Sequence, residues 1–170
     1  MGREEELAPA LDAAGQYGPR VMLEEFIIGR ELTVGVLGDE PLPVVEIRSS
    51  HAFFDFTAKY TAGLTEYLVP APLAPDVTTA VQAVGLAAHL ALGCRHFSRT
   101  DIILRPDQVP VVLEVNTIPG FTPTSLLPKE AACIGVSYEE LCERLVRMAC
   151  APQRRVRAPK SAGRRLARVG

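Results

Sequence analysis

The chain has 170 residues and a mass of 18.4 kDa, which suits one domain of ordinary size. Hydrophobic residues make up 48% and charged residues 22%, so the chain is too apolar for a disordered protein. The formal net charge of −2 conceals an uneven distribution. Residues 151–170 contain seven basic residues and no acidic one, which leaves 11 basic and 20 acidic residues in 1–150. The sequence therefore predicts an acidic domain over 1–150 and a basic, disordered tail over 151–170.

Composition also bears on partners and location. Uninterrupted apolar runs end far short of the roughly 20 residues that a membrane-spanning helix needs. The acidic N-terminal stretch 1–6 lacks the basic-then-apolar order of a signal peptide. We therefore expect a cytoplasmic protein without a membrane partner. The basic tail has no aromatic residue among its charges for stacking on bases, so nucleic acid is not an expected partner either.

The first half of the chain predicts a helix followed by short strands. Residues 4–14 carry apolar residues at helical spacing, and glycines at 15 and 18 end the helix. Three strand-like runs follow, at 21–27, 31–37 and 44–47. The tight connections between them favour an antiparallel meander. Residues 49–72 show no sustained period and predict a long ordered loop, a feature that is often functional.

The second half predicts helices around a strand pair. Residues 76–92 follow the helical period, with Asp76 as the expected N-cap and Gly93 beyond the end. Two strands come next, at 97–104 and 109–116, and two helices follow, around 126–133 and from the capping box that begins at Ser137. The predicted fold class is α+β, an antiparallel β-sheet with flanking helices.

The two later strands carry the most informative polar residues. Positions i and i+2 of a strand share a face, so Arg99 and Asp101 point one way, as do Glu114 and Asn116. If the strands pair, these four side chains converge into an oxygen-rich set of the kind that Mg²⁺ prefers. Two such ions and an arginine would neutralise charge on a triphosphate during phosphoryl transfer. A solvent-facing polar face with cross-strand Arg–Glu contacts fits the same pattern, and both interpretations stay open.

A turn follows the second strand at 117–122 and contains Pro119-Gly120. Gly120 lacks a side chain, so backbone N–H groups there can come close to a ligand. A sharp turn at the end of a strand that presents carboxylates is typical of a functional site. The turn thus favours the site interpretation.

The segment EVNTIPGFTPTSL at 114–126 closely resembles the C-terminal signature of the D-alanine–D-alanine ligases, which are members of the ATP-grasp superfamily. Further segments match in the same order: VMLEEFI at 21–27 with GRELTV at 29–34, FFDFTAKY at 53–60, LGC at 92–94 and SRTD at 98–101. The resemblance covers about residues 4–149. It implies the C-terminal lobe of the ATP-grasp fold, with an incomplete small lobe at the N-terminus.

The resemblance assigns roles to the matching residues. Asp101, Glu114 and Asn116 correspond to ligands of two Mg²⁺ ions, or of Mn²⁺ in their place, with Glu114 as the bridge. Three residues correspond to catalytic positions: Arg99 at the transferred phosphoryl group, Gly120 as a backbone donor to the oxyanion, and Ser125 at the carboxylate of the second substrate. Ser125 would serve equally as a helix cap.

Contacts to ATP are implied by the same resemblance. Glu24, Glu25 and Ile27 match the segment that meets adenine, Glu31 the carboxylate that binds the ribose hydroxyls, and Lys59 a phosphate contact from the loop that covers the site. By residue type alone, Lys59 fits an ordinary solvated loop, and Glu24 and Glu25 fit ordinary strand positions.

The implied activity is ligation of two D-alanine molecules with ATP through an acyl phosphate, which makes a dipeptide for peptidoglycan precursors. Only the C-terminal half of the family pattern is present. Positioning provides most of the catalysis of phosphoryl transfer, so we expect the chain alone to be inactive. A separate N-terminal half or a second copy is the expected macromolecular partner. D-serine or D-lactate as second substrate, and a degenerate nucleotide- and metal-binding module without catalysis, stay open as alternatives.

Overall fold

The structure is a computed structural model that describes residues 4–49 and 65–151. The predicted tail beyond residue 151 and most of the predicted loop at 49–72, including Lys59, lie outside these residues. None of the helices in the described ranges is long and apolar enough to span a membrane.

The described strands form one antiparallel sheet in the order β4-β3-β1-β5-β6, with the short β2 beside the end of β1. The strands are β1 Arg30–Leu37, β2 Glu40–Pro41, β3 Val45–Ser49, β4 Thr65–Leu68, β5 Phe97–Leu104 and β6 Pro110–Asn116. The predicted strands at 31–37, 97–104 and 109–116 are confirmed to within one residue. The loop predicted for 49–72 is wrong at its end, because Thr65–Leu68 pairs with β3 along the outer side of the sheet.

Four α-helices accompany the sheet in the described residues: α1 Leu7–Gly15, α2 Pro75–Ala91, α3 Leu126–Cys133 and α4 Tyr138–Cys150. The helix predicted for 76–92 is confirmed, but its cap is not. Ala74 occupies the N-cap position, Pro75 begins the helix, and Asp76 lies in the first turn. Proline suits this start because its missing N–H would have no helical partner there, while the Asp76 charge suits the positive helix end.

One face of the sheet packs against α2 through the main hydrophobic core. The buried members are Leu32, Val34, Val44, Ala71, Val81, Ile102 and Leu104. Gly85 lets α2 approach β1 closely, since a Cβ at this position would lie 3.0 Å from the Cβ of Val34. Helices α3 and α4 form a second cluster, in which Ala131, Val136 and Leu141 are buried and Leu37 and Phe121 pack beside them. Helices thus contact β1 from both faces of the sheet.

The strand predicted for 21–27 is wrong. Residues 20–28 connect α1 to β1 without regular structure, and Met22, Leu23 and Ile28 are 77%, 61% and 73% exposed. Helix α1 also buries none of its residues. An extended segment becomes a strand only where a neighbour accepts and donates its backbone hydrogen bonds, and no described strand pairs with this one.

Candidate functional site

The register between β5 and β6 brings the four predicted polar residues together. Arg99 pairs with Asn116 and Asp101 pairs with Glu114 across the antiparallel ladder. Directly opposite residues in such a ladder have Cβ atoms about 5 Å apart, so the side chains share one face of the sheet. The predicted convergence of one arginine, two carboxylates and one amide is therefore present. We call these residues the polar cluster: Arg99, Asp101, Glu114 and Asn116.

Asp101 is the hydrogen-bond centre of the polar cluster. Its Oδ1 accepts from Arg99 Nε at 3.0 Å and from Thr33 Oγ1 at 2.7 Å. Its Oδ2 accepts from Arg99 Nη2 at 3.0 Å and from Asn116 Nδ2 at 3.1 Å. The amide of Asn116 also donates to Glu114 Oε1 at 3.1 Å. Three N–H donors therefore face the Asp101 carboxylate together with the Thr33 hydroxyl, whose single proton is shared with the Thr100 carbonyl at 3.1 Å.

Burial separates the polar cluster from an ordinary solvent-facing ladder. The side chains of Arg99 and Asp101 are only 18% and 17% exposed, whereas Glu114 is exposed. Burial opposes the charged form of Arg99, but its hydrogen bonds to Asp101 and the nearby carboxylates prevail and raise its pKa. The polar cluster thus holds the Arg99 guanidinium in a position shielded from solvent, while the Glu114 side chain lies on the solvent-exposed side of the cluster.

A β-bulge confines the polar cluster to one end of the strand pair. Asp101 faces Glu114, but the next residue, Ile102, faces Val112, so Leu113 is an extra residue on β6. Val112 consequently packs against the main core although it lies two positions from Glu114. Without the bulge, the alternation of the strand would place both residues on the same face.

The turn after β6 is held in place by aromatic packing and by Ser125. Phe121 packs against Phe97 and Tyr138, with ring centroids 6.0 and 5.6 Å apart, and the Tyr138 hydroxyl donates to the Phe121 carbonyl at 2.9 Å. Ser125 Oγ accepts from the Thr122 backbone N–H at 3.0 Å. Ser125 precedes α3, but its side chain makes no capping hydrogen bond to the helix. Its hydroxyl therefore serves the turn rather than the helix.

Gly120 stands at the exposed part of this turn. A Cβ at this position would lie 3.2 Å from Ser125 Oγ, which is tight. The absence of a side chain therefore lets the turn fold back onto Ser125. The two residues assigned to substrate contacts are thus neighbours in space, and the turn that contains them begins where the polar cluster ends.

Three residues that the sequence patterns did not indicate complete the site: Thr33, Gly35 and Glu130. Thr33 pairs with Asp101 and Gly35 pairs with Arg99 along the β1–β5 ladder. Glu130 reaches this ladder from α3, where its Oε1 accepts from the Gly35 backbone N–H at 3.0 Å. One signal for Glu130 was present in the sequence, because it falls with Leu127 and Ala131 on the buried side of α3.

Glu130 is fully buried, and its Oε2 has no hydrogen-bond partner. Burial raises its pKa well above the ordinary value. The Gly35 hydrogen bond and the charge of Arg99 act in the opposite direction, and the charge of Asp101 adds to the burial effect. A carboxyl group in this position interacts with the polar cluster without being hydrogen-bonded to it.

The described residues assigned to ATP contacts lie farther apart in the fold than the four residues of the polar cluster. Glu31 lies on β1 and, by the alternation of the strand, on the face that holds Thr33. Glu24 and Glu25 are exposed on the irregular segment before β1, and Ile27 in that segment is half-buried. Lys59 lies outside the described residues. Of the residues that the resemblance assigns to nucleotide binding and that the structure describes, Glu31 alone therefore belongs to the sheet that positions the polar cluster.

The donor set of the polar cluster fits magnesium. Mg²⁺ binds through one or two carboxylates and completes its octahedron with water and phosphate oxygens. Asp101 and Glu114 lie opposite each other and would supply these carboxylates, with Asn116 beside them. Clusters of three or more His, Cys, Asp or Glu side chains suited to a metal ion do not occur in the described ranges. The described residues therefore do not surround a metal ion with protein ligands alone. They match a site in which water and phosphate oxygens complete the coordination of the ion.

The fold and its known relatives define the class. An antiparallel sheet with flanking helices is the C-terminal domain architecture of ATP-grasp D-alanine ligases, as structural similarity shows. A D-alanine–D-alanine ligase from Bacillus anthracis complexed with ATP superposes with a TM-score of 0.73 at 31% identity, over 86% of this chain and 47% of that chain. VanG D-Ala:D-Ser ligase from Enterococcus faecalis has a TM-score of 0.73 at 35% identity, over 86% and 43% of the two chains.

Sequence similarity gives the same answer. The family described as D-ala D-ala ligase C-terminus matches residues 1–147, and the chain belongs to this family. A D-alanine–D-alanine ligase from Nitratidesulfovibrio vulgaris strain DP4 is 51% identical over 145 residues, which are 85% of this chain and 48% of the relative. The chain thus spans about half the length of the curated relatives it matches.

Proposed function

We propose that this chain supplies the metal- and phosphate-binding half of an ATP-dependent ligase that joins two D-alanine molecules. The observation that carries the proposal is the convergence of Arg99, Asp101, Glu114 and Asn116 in a chain of this family. The Bacillus anthracis relative was crystallised with ATP, which supports ATP as the phosphoryl donor. The product dipeptide is proposed to enter peptidoglycan precursor synthesis.

The proposed reaction has two steps. The γ-phosphoryl group of ATP is transferred to the carboxylate of the first D-alanine, which gives an acyl phosphate and ADP. The amine of the second D-alanine then attacks the acyl carbon and displaces phosphate, which gives the dipeptide. Arg99, fixed by Asp101 through two hydrogen bonds, steadies the negative charge of the transferred group. Asp101, Glu114 and Asn116 would hold two Mg²⁺ ions, which would neutralise charge on the phosphate oxygens.

The turn after β6 is proposed to orient the second substrate. The backbone N–H of Gly120 donates to the oxyanion of the tetrahedral intermediate, and Ser125 meets the carboxylate of the second substrate. The hydrogen bonds between Ser125 and Thr122 and the packing of Phe121 support this role, because a rigid turn positions donors without reorganisation. D-alanine is the proposed second substrate, and D-serine and D-lactate are the competitors to compare.

Nucleotide contacts are proposed for the residues before and at the start of β1. Glu24, Glu25 and Ile27 meet adenine and Glu31 the ribose hydroxyls, while Lys59 contacts phosphate. The exposed apolar side chains of residues 21–28 support the proposal that other protein covers this segment in the active enzyme. We therefore propose that the chain is inactive alone and works with the half that it does not span.

A binding experiment tests the metal and phosphate site. Thermal unfolding of the chain is measured with Mn²⁺ and a non-hydrolysable ATP analogue, each alone and together. A ligand at 100 times its Kd stabilises by about 2.7 kcal/mol. We expect stabilisation that is lost in Asp101→Ala and Glu114→Ala. Asp107→Ala is the matched control, because Asp107 pairs with Arg105 in the turn at the other end of the same strands. Equal stabilisation of all variants would contradict the assigned site.

An activity experiment tests the ligase assignment. Phosphate release and dipeptide formation are measured with ATP and D-alanine for the chain alone. They are measured again with the N-terminal half of the Nitratidesulfovibrio vulgaris relative added in trans. We expect activity only with both halves, and none with Asp101→Ala. Dipeptide formation by the chain alone would disprove the inactivity, and its absence from the complemented pair despite binding would contradict the ligase function.

A further inference from the structure

Asp101 offers a cation one lone pair at most in this arrangement, because the single proton of the Thr33 hydroxyl is shared with the Thr100 carbonyl. Its two oxygens accept from Thr33, Asn116 and two nitrogens of Arg99. A divalent cation can take the place of the Thr33 hydroxyl, which then turns to the Thr100 carbonyl, but the cation would share Asp101 Oδ1 with the Arg99 guanidinium. Arg99 is the donor that a dication repels, since the other two are neutral. The guanidinium then needs another acceptor, because its side chain is only 18% exposed.

Glu130 lies where such an acceptor is needed. Gly35 is paired with Arg99 across the β1–β5 ladder and shares the face of Thr33, whose hydroxyl reaches Asp101. A Cβ at Gly35 would overlap Glu130 Oε2, so this oxygen occupies the space of the missing side chain on that face. Glu130 Oε2 thus lies beside Arg99 at the neighbouring cross-strand position.

The bonding of Glu130 is half complete. Oε1 accepts from the Gly35 N–H and so anchors the carboxyl group to the sheet, whereas Oε2 is fully buried without a partner. Buried polar atoms are nearly always paired in folded proteins, so an unpaired oxygen requires an explanation. The charge of Arg99 already acts on Glu130, although no hydrogen bond joins them.

We propose that Glu130 is a positioning residue for Arg99: Glu130 Oε2 receives the guanidinium when a divalent cation takes its place on Asp101. The proposal deepens the proposed function and rests on it for the cation. In this view Arg99 has two acceptors on one face of the sheet: Asp101 before the cation binds, and Glu130 afterwards. The approach of the guanidinium releases to solvent the proton that burial favours on Glu130. The arginine thereby stays beside the phosphate site instead of turning into solvent.

The first test needs no metal. Asp101→Asn removes the charged acceptor and imitates its loss to a cation, so Arg99 should move to Glu130 in this variant. Urea unfolding is measured for the full chain, Asp101→Asn, Glu130→Gln and the double variant. We expect Glu130→Gln to raise the unfolding equilibrium constant about 5-fold more in the Asp101→Asn background than in the wild-type background. Additive effects of the two substitutions would overturn the proposal.

The matched control is Glu46→Gln. Glu46 is also a buried carboxylate paired with an arginine, Arg30, but it lies opposite Leu32 on the other face of the sheet. Its effect on unfolding should be the same with and without Asp101→Asn. A general sensitivity of destabilised variants to loss of a buried carboxylate would instead appear in both cycles, and it would overturn the specific role of Glu130.

The second test uses Mn²⁺ as the probe and electron paramagnetic resonance of the free ion as the readout. We expect Glu130→Gln to weaken Mn²⁺ binding about 5-fold when Arg99 is present and by less than about 2-fold in Arg99→Met. An equal effect in both backgrounds would overturn the proposal. Failure of the wild-type chain to bind Mn²⁺, together with coupling in the metal-free cycle, would refute the proposed metal site and leave the second acceptor for Arg99 established.

Discussion

The backbone N–H of Gly35 donates to the carboxyl group of Glu130, and that carboxyl group fills the space where a side chain at Gly35 would lie. A residue in the middle of a strand and a residue in a helix 95 positions later are therefore fitted to each other. Gly35 also pairs with Arg99, so the fit reaches the polar cluster. A side chain at Gly35 would therefore obstruct the packing of α3 on the sheet.

Gly35→Ala should therefore destabilise the chain. The added Cβ would overlap Glu130 Oε2 and come within 2.6 Å of Leu127 Cδ1, and overpacking of this kind costs about 1–3 kcal/mol. Urea unfolding measures the loss. Gly15→Ala is the control, because nothing lies within 4 Å of a Cβ there and the change should stay within about 0.5 kcal/mol. Equal effects of the two substitutions would show that Glu130 does not occupy the space beside Gly35.

The pH dependence of stability should reveal the buried carboxyl of Glu130. Its pKa in the folded chain is raised by burial, so the folded state holds a proton that the unfolded state releases at lower pH. The stability associated with this group is present below its unfolded pKa and is lost as the pH rises through the folded pKa. Glu130→Gln removes this loss. In urea unfolding across the weakly acidic to neutral range, the variant should gain stability relative to the wild type as the pH rises.

Glu46 provides a comparison in which the pKa shift, and therefore the pH dependence of stability, has the opposite sign. Its hydrogen bond to Arg30 lowers the pKa of Glu46 despite burial, with Arg48 adding to the effect. Stability from this group is present above the unfolded pKa and is lost as the pH falls through the folded pKa. Glu46→Gln should therefore be destabilising near neutral pH and approach the wild type in acid. Identical pH profiles for the Glu46 and Glu130 variants would refute at least one of the two assignments.

Arg99→Lys should cost more than its conservative appearance suggests. Lysine cannot reproduce the two parallel hydrogen bonds that Arg99 makes to Asp101 in a site shielded from water. We expect a loss of about 1–2 kcal/mol in urea unfolding. Arg105→Lys is the control, since its pair with Asp107 has the same sequence spacing but is 48% and 50% exposed. Its change should be within about 0.5 kcal/mol, and a similar loss at both positions would argue against shielding at Arg99.

Polar substitutions in the exposed segment before β1 should change the surface properties of the chain but not its stability. Met22→Ser combined with Leu23→Ser removes two side chains that are 77% and 61% exposed. Unfolding should change by less than about 0.5 kcal/mol, while binding of an apolar fluorescent dye and self-association should fall. Leu32→Ala, at a fully buried position, should cost about 2–5 kcal/mol. A comparable loss in the double serine variant would place residues 22 and 23 in a packed core.

Local patterns predicted the parts of the fold that depend on neighbours in sequence. Alternation along the strands predicted that Arg99 shares a face with Asp101, and Glu114 with Asn116. That both pairs lie on one patch depended on the pairing of β5 with β6, which the sequence left conditional and the register provides. The helices at 126–133 and 138–150 were equally accessible from periodicity and from the Ser137 capping box, whose hydroxyl accepts from the Glu140 N–H. Helix formation and capping depend on residues close in sequence, so sequence patterns alone can predict these helices.

The remainder depends on partners that are distant in the chain. The run at 21–27 has the composition of a strand, but strand formation requires a neighbour, and no described strand supplies one. Thr33 and Glu130 join the site only because β1 lies beside β5 and α3 lies over β1. A buried glutamate is unusual enough that a sequence pattern alone favours a surface position for it.

Because Leu113 is an extra residue in β6, the strand should tolerate substitution at this position but not deletion of the residue. Leu113 is 50% exposed and outside the ladder, so many side chains fit there. Removal of one residue at this point would shift one half of β6 by a single step, and a single step exchanges the two faces of a strand. Either Glu114 and Asn116 would turn towards α2, or Val112 would turn away from the core. Substitution and deletion at the same position thus differ in kind, and variation among homologues should change the identity of residue 113 while its presence is kept.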